Sequence, residues 1–111
     1  MQAKLHEEVD EVLGNGTEVT SEMLGELKYL DMVLKESLRI RPSVPFIGRL
    51  LTEDIVVNGV TIPAGTNVDI HIYVLHHHPD HWTEPEKFDP ERWAPGTEDK
   101  DPYLYIPFSA G

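Results

Sequence analysis

Glu36 and Arg39 stand three residues apart in the stretch KESLRIRPSVPF, residues 35–46. A carboxylate and a guanidinium at this spacing face each other on a helix, where an exposed pair stabilises by only about 0.2–0.5 kcal/mol. If that face is covered, the pair is buried, and its remaining hydrogen-bonding groups then also need partners. Because Arg has five donors and a carboxylate two acceptor oxygens, a buried pair predicts a third partner, and a further cation would fit.

A second group that could do chemistry is a set of histidines, since imidazole is the commonest metal ligand. Three consecutive side chains cannot converge on one ion along a regular backbone, and Pro79 disrupts helical spacing. The pattern therefore favours a polar turn after a strand, with a His-rich metal-binding module as an alternative. The residues in question are His71, His76, His77, His78 and His81.

A third group consists of carboxylates in the Pro-rich segment, namely Glu84, Glu86, Asp89 and Glu91. Paired carboxylates can act as general acid and base, but no nucleophile or base accompanies these. A solvated loop is the favoured interpretation. No catalytic residue and no metal ligand is therefore assigned within the chain.

Composition narrows the function classes. The chain has 111 residues, which suits one small domain or a piece of a larger one, and a formal net charge of −11. That charge argues against nucleic-acid binding and against docking on an anionic membrane. It leaves an acidic interaction domain as a further alternative. Without any cysteine, disulfides, zinc–thiolate sites and a cysteine nucleophile are excluded within these residues.

The first part of the chain is predicted to be helical. Apolar periodicity indicates a helix that ends at Gly14, Asn15 and Gly16, a second one capped by Thr20 or Ser21, and a stronger one from about 27 to 40. The third helix has a broad apolar face of Leu27, Leu30, Val33, Leu34 and Leu38, and Tyr29, Met32 and Ile40 surround Glu36 and Arg39 on another side. The Glu36–Arg39 pair is therefore buried if this second side is covered, and it is an ordinary surface pair if it is not.

The second part of the chain predicts strands and then an irregular segment. Residues 54–62 carry Asn58-Gly59 between two β-branched runs, which predicts a hairpin. Residues 67–74 alternate as a strand does. From His76 onward, repeated prolines prevent any long regular element, and aromatic side chains indicate that this loop is packed down.

Taken together, these residues resemble the cytochrome P450 monooxygenases. The similarity rests on Glu36-Ser37-Leu38-Arg39, Arg41-Pro42, IPAGT (62–66), His76 followed by Pro79, WTEPEKFDPERW (82–93) and PFSAG (107–111). These motifs cover essentially the whole chain in the family's order and spacing. The stretch VPFIGR (44–49) looks most like the fatty-acid-hydroxylating branch called family 4.

The resemblance implies a role for several residues. In that family a Glu-x-x-Arg helix is locked by an Arg from a later Pro-Glu-Arg-Phe-like loop, so Glu36, Arg39 and Arg92 are expected to form a structural clamp that is not catalytic. Trp93 stands where the family usually has Phe. The expected substrate-pocket residues are Val44, Pro45, Phe46 and Ile47. Arg49 is expected to contact a haem propionate, the alternative being a surface residue entering a strand.

The resemblance also implies what the whole protein is. We expect an α+β fragment of the mainly α cytochrome P450 fold, with a clamp helix, a small β-hairpin or sheet and an aromatic meander loop. Residues 1–111 would be a partial domain without the oxygen-activating helix and without the Cys loop that ligates the haem iron, which would follow this chain. The isolated chain is not expected to be active.

For that parent protein, the resemblance implies insertion of one oxygen atom from O₂ into a lipophilic substrate such as a fatty acid. Electrons would come from NADPH through NADPH-cytochrome reductase. Nucleic acid is not an expected partner. The expected location is the endoplasmic reticulum membrane, with anchoring through an N-terminal segment outside this chain.

Overall fold

The computed structural model describes residues 1–14, 18–97 and 101–110. Asn15, Gly16 and Gly111, which belong to two of the motifs above, lie outside these residues. The elements are α1 (Gln2–Leu13), α2 (Ser21–Glu26), α3 (Lys28–Ile40), β1 (Phe46–Leu50), β2 (Ile55–Val57), β3 (Val60–Ile62), β4 (Asn67–His71) and α4 (Ile72–His76), followed by 3₁₀ turns at Pro90–Trp93 and Pro102–Leu104. This α+β architecture confirms the predicted fold class.

The beginning of α3 is fixed by a residue from a different helix. Leu27, which precedes α3, offers no side-chain cap. Instead, the carboxylate of Glu8 on α1 accepts hydrogen bonds from the backbone N–H groups of Tyr29 at 2.7 Å and Leu30 at 2.9 Å. The first N–H groups of a helix lack partners within the helix, and a negative charge suits this end of it. Glu8 therefore ties α1 to the start of α3.

Burial along α3 differs from the sequence prediction in one respect. Leu34, on the broad apolar face, is 54% exposed. The buried residues of the helix are Val33, Glu36 and Arg39. The side that carries the ion pair is thus the covered side, because α4 and the Pro90–Trp93 turn pack on α3.

The strands form two separate antiparallel pairs within the described residues. Strands β2 and β3 make the predicted hairpin, with Val57 opposite Val60. Asn58 and Gly59 both have positive φ, 49° and 79°, as a two-residue type I′ turn requires. Strand β1 pairs with β4, so that Phe46 lies opposite His71 and Arg49 opposite Val68.

The strand predicted over residues 67–74 is shorter than expected. Strand β4 ends at His71, and the chain turns into the short helix α4. Ile72 and His76 are four residues apart and therefore share one face of that helix. Both are completely buried, so the turn from strand to helix brings both side chains into the interior. An extended chain would have separated them.

The Pro-rich segment is irregular but packed, as its aromatic residues predict. Trp82 and Ile106 are both buried. The Pro90–Trp93 turn begins at Asp89, whose carboxylate accepts a hydrogen bond from the N–H of Glu91 at 3.2 Å. Among the described residues, no helix combines the length and apolar character needed to cross a bilayer.

Candidate functional site

The carboxylate of Glu36 lies between two guanidinium groups. Arg39 Nε donates to Oε1 at 2.5 Å, and Arg92 Nε donates to Oε2 at 2.9 Å. Oε2 also accepts the backbone N–H of Asp89 at 2.7 Å and a longer bond from Arg39 Nη2 at 3.4 Å. We call Glu36, Arg39 and Arg92 the clamp. The structure thus brings together the three residues that the resemblance selected.

All five N–H groups of Arg39 have acceptors. Besides Glu36, they are the backbone carbonyls of His76 at 2.9 Å, Pro85 at 2.8 Å and Lys87 at 3.0 Å. Arg39 is completely buried, and the Trp82 ring lies against the guanidinium, 5.3 Å from Cζ to the ring centroid. A charge out of water is tolerated only when its hydrogen bonds are replaced in this way.

Arg92 reaches the same carboxylate from the opposite side. Its Nη1 donates to the carbonyl of Thr83, and its Nη2 donates to the carbonyls of Glu84 at 2.6 Å and Lys87 at 3.1 Å. The Lys87 carbonyl therefore accepts from both arginines. Because the carboxylate oxygens and the Arg39 donors are all engaged, the clamp presents no open group to a substrate. Its geometry is that of a structural lock.

Two of the acidic loop residues, Glu84 and Glu91, have exposed side chains that pair with lysines. The carboxylate of Glu84 lies 3.9 Å from Lys87 Nζ, and that of Glu91 lies 3.2 Å from Lys4 Nζ. All four side chains are exposed. Exposed pairs of this kind contribute little to stability. The solvated-loop interpretation thus holds for these two carboxylates, although the Glu84 carbonyl also serves the clamp.

His76 differs most from its sequence interpretation. It was expected in a polar turn, yet its imidazole is completely buried. Nδ1 lies 3.2 Å from the carbonyl oxygen of Arg39, and the N–H of Ile106 donates to Nε2 at 3.0 Å. Since Nε2 accepts, the ring proton belongs on Nδ1. Burial is the main cause that lowers the pKa of His76 below its ordinary value, which favours this neutral form.

Tyr105 packs beside His76 and belongs to the same interior. Their rings stack with centroids 5.3 Å apart, and Tyr105 also contacts Trp93 at 4.5 Å. Burial, with smaller effects from Asp31 and Glu36, raises the pKa of the Tyr105 phenol to about 12. The sequence offered one signal for this cluster, the aromatic residues among the prolines.

The metal-binding alternative is not supported. In the part of the chain that the structure describes, no three His, Asp or Glu side chains come together closely enough to hold a metal ion. Both ring nitrogens of His76 have partners in the interior. Nδ1 of His77 faces the carbonyl oxygen of Tyr73 at 2.7 Å. The histidines therefore point to different partners.

The residues expected to line the substrate pocket are brought together only in part. Val44 and Ile47 line a cavity of about 280 Å³ with Ile72, Pro107, Phe108 and Ser109. Pro45 contributes its carbonyl, which accepts from the N–H of Tyr73 at 3.0 Å. Phe46 does not line this cavity; it is 59% exposed and tilts against the ring of His71.

Arg49 links strand β1 to the last described segment. The residue is exposed, its Nη2 donates to Ser109 Oγ at 2.7 Å, and its Nη1 donates to the carbonyl of Gly48 at 2.8 Å. Two of its five N–H groups make these bonds. Its bond to Ser109 places Arg49 beside the apolar cavity that Ser109 lines.

These residues fit the edge of a haem. An apolar wall beside a guanidinium suits a flat apolar ring that bears carboxylates, since Arg binds a carboxylate in a bidentate manner. The iron ligand is a separate matter, because the sequence has no Cys. The described residues therefore fit the periphery of the group, and a contact to haem remains a proposal.

In fold and site, the chain is defined by a buried ion-pair cluster that holds an irregular loop on helix α3. Residues 1–111 match the family described as Cytochrome P450. The chain therefore belongs to the cytochrome P450 family.

Individual relatives match over the whole chain. Rat "Cytochrome P450 3A18" is 46% identical over 112 residues, human "Cytochrome P450 3A5" 44% over 111, and "Cytochrome P450 4d2" of Drosophila melanogaster 46% over 113. The chain spans only 22–23% of the length of these relatives. Names of families 3 and 4 occur at equal identity, so identity does not separate these two branches.

The first prediction contrasts Arg39→Lys with Arg41→Lys. A single ammonium cannot replace five N–H donors held in a planar fork, so Arg39→Lys leaves buried carbonyls without partners. We expect it to lower the free energy of unfolding of the complete protein by about 3–5 kcal/mol. Denaturant unfolding measures the change.

Arg41 is the matched control because it is exposed just after α3. The same substitution there should change stability by less than about 0.5 kcal/mol. Equal effects at the two positions would contradict the description of Arg39 as a fully satisfied buried cation.

Proposed function

We propose that this chain is a partial domain of a haem-thiolate monooxygenase, running from before the clamp helix to just before the iron-ligand loop. The parent protein would insert one oxygen atom from O₂ into a lipophilic substrate with electrons derived from NADPH. The observation that carries the proposal is the match of residues 1–111 to the cytochrome P450 family. The clamp adds physical support, because the structure brings together Glu36, Arg39 and Arg92, the three residues that the family resemblance selects.

Haem, when bound, would supply the oxygen chemistry, and the residues of this chain would shape its surroundings. Arg49 is proposed to hold a haem propionate. It would use the N–H groups that do not bond to Ser109 or Gly48. Val44 and Ile47 would form the apolar wall, which excludes water from the bound substrate. Pro45 would hold this stretch to α4 through its bond to Tyr73.

Fatty acids or similar long lipophilic molecules are the proposed substrates. The support is the apolar lining of the cavity formed with Val44 and Ile47 and the similarity of VPFIGR to family 4. The electron donor is proposed to be NADPH-cytochrome reductase. The proposed location is the endoplasmic reticulum membrane, with the anchor in another part of the protein.

The second prediction concerns Arg49. Arg49→Ala in the complete protein removes the guanidinium that we assign to a propionate. We expect haem to transfer to a haem-scavenging globin about fivefold faster, which corresponds to about 1 kcal/mol for an exposed charge pair. Arg41→Ala, at another exposed arginine, is the control. Equal transfer rates for the two variants would contradict the assigned contact.

The third prediction tests the reaction. The complete protein, supplied with a reductase, NADPH and a long-chain fatty acid under isotopically labelled O₂, should form a hydroxylated product that carries one labelled oxygen atom. Mass spectrometry of the product measures this. A product whose oxygen comes from water, or a reduced protein whose carbon monoxide complex lacks a thiolate-type Soret band, would contradict the proposed function.

A further inference from the structure

His76 connects two parts of the chain that are remote in sequence. On one side its Nδ1–H donates to the Arg39 carbonyl at the end of α3, and on the other its Nε2 accepts the N–H of Ile106. The backbone carbonyl of His76 itself accepts from the Arg39 guanidinium at 2.9 Å. One residue thus holds the segment 105–110 against the clamp.

That segment carries the wall of the apolar cavity. Pro107, Phe108 and Ser109 line it, and Ser109 accepts the hydrogen bond from Arg49. Ile106, which lies directly before them, is buried. The backbone bond from Ile106 to the imidazole is therefore the attachment nearest to the cavity wall on its N-terminal side.

This attachment depends on the protonation state of the imidazole. Neutral His76 has one donor and one acceptor nitrogen, and both are used. A protonated ring has two donors and no acceptor, so Nε2–H would face the N–H of Ile106 at a distance suited to a hydrogen bond. Two opposed donors in the interior lose the bond and leave a buried N–H without a partner, which costs free energy.

The surrounding charges do not favour a protonated ring. The Arg39 guanidinium on α3 disfavours a positive charge on His76. His77, which follows α4, has the same effect on the pKa of His76. From the segment 105–110, the Tyr105 ring that stacks on His76 stays neutral because its pKa is raised to about 12. The Glu36 carboxylate is already held by two arginines.

We propose that His76 is a pH-sensitive latch: the neutral imidazole holds residues 105–110 on the clamp helix, and protonation releases them. The latch positions the cavity wall and touches no reacting atom. It rests on contacts within the described residues and does not depend on the proposed oxygenase reaction.

The direction of the pH dependence follows from the sign of the shift. The pKa of His76 is lowered in the folded state from 6.5. As the pH falls below about 6.5, the open state takes up a proton that the closed state does not. The latch is therefore fully effective above about pH 6.5 and weakens as the pH falls toward the lowered pKa of the closed state.

The fourth prediction is measured by hydrogen exchange of the Ile106 amide. We expect its protection factor, corrected for the intrinsic pH dependence of exchange, to fall by up to about tenfold between about pH 7.5 and pH 5.5 in the complete protein. His76→Gln keeps a donor and an acceptor but cannot be protonated in this range. In this variant the pH-dependent fall in protection should be absent. If His76 had only a structural role, its replacement could lower the protection of Ile106 but would not remove the pH dependence.

His78→Gln is the control, because His78 is exposed and its Nδ1 accepts a hydrogen bond from the N–H of Asp80. This variant should retain the fall. His76→Asn serves as a second non-titrating variant if His76→Gln does not fold. If neither folds, the fall in both the wild-type protein and His78→Gln supports the latch. An Ile106 amide whose protection is constant with pH in the wild type, or an equal fall in a folded His76→Gln or His76→Asn protein, would overturn it.

Discussion

The interaction on which the structure depends is the Glu36 carboxylate held between the guanidinium groups of Arg39 and Arg92. A buried carboxylate with one arginine would leave donors and acceptors without partners, and its desolvation would exceed the gain from pairing. The second arginine and a backbone N–H complete the carboxylate, and the two arginines donate to five backbone carbonyls, those of His76, Thr83, Glu84, Pro85 and Lys87. Helix α3 and the loop of residues 76–92 can therefore be ordered only together.

Helix α3, which carries Glu36 and Arg39, is held by contacts at both of its ends. At its beginning, Glu8 of α1 fixes the first N–H groups. At its end, the Arg39 carbonyl meets His76, which in turn holds Ile106. The residues with proposed contacts to haem and substrate, Arg49 and those around the apolar cavity, are linked to these contacts through the segment that contains Ile106 and Ser109. Such support from outside a site is what keeps functional side chains within the narrow tolerances that chemistry needs.

Local features of this fold could be predicted from the sequence, and tertiary ones only in part. The β2–β3 hairpin follows from Asn58-Gly59, since the positive φ of a type I′ turn is a local requirement. Apolar neighbours at helical spacing indicated that the Glu36–Arg39 pair could be buried, but Arg92 came from family resemblance alone. Three other features have no periodic signal in the sequence. They are the backbone carbonyls that accept from the arginines, the contact of Glu8 with the start of α3, and the burial of His76. Each depends on where irregular backbone lies after the chain has folded.

The central claim is that the three charged residues act as one buried unit, and a double-mutant cycle between Glu36→Ala and Arg92→Ala in the complete protein tests it most directly. Each single change should lower the free energy of unfolding by about 3–5 kcal/mol. The double change should cost no more than the worse single, so the coupling energy should equal the smaller single loss, about 3–5 kcal/mol. A loss under about 1 kcal/mol for Arg92→Ala, with effects that add in the double variant, would contradict the clamp.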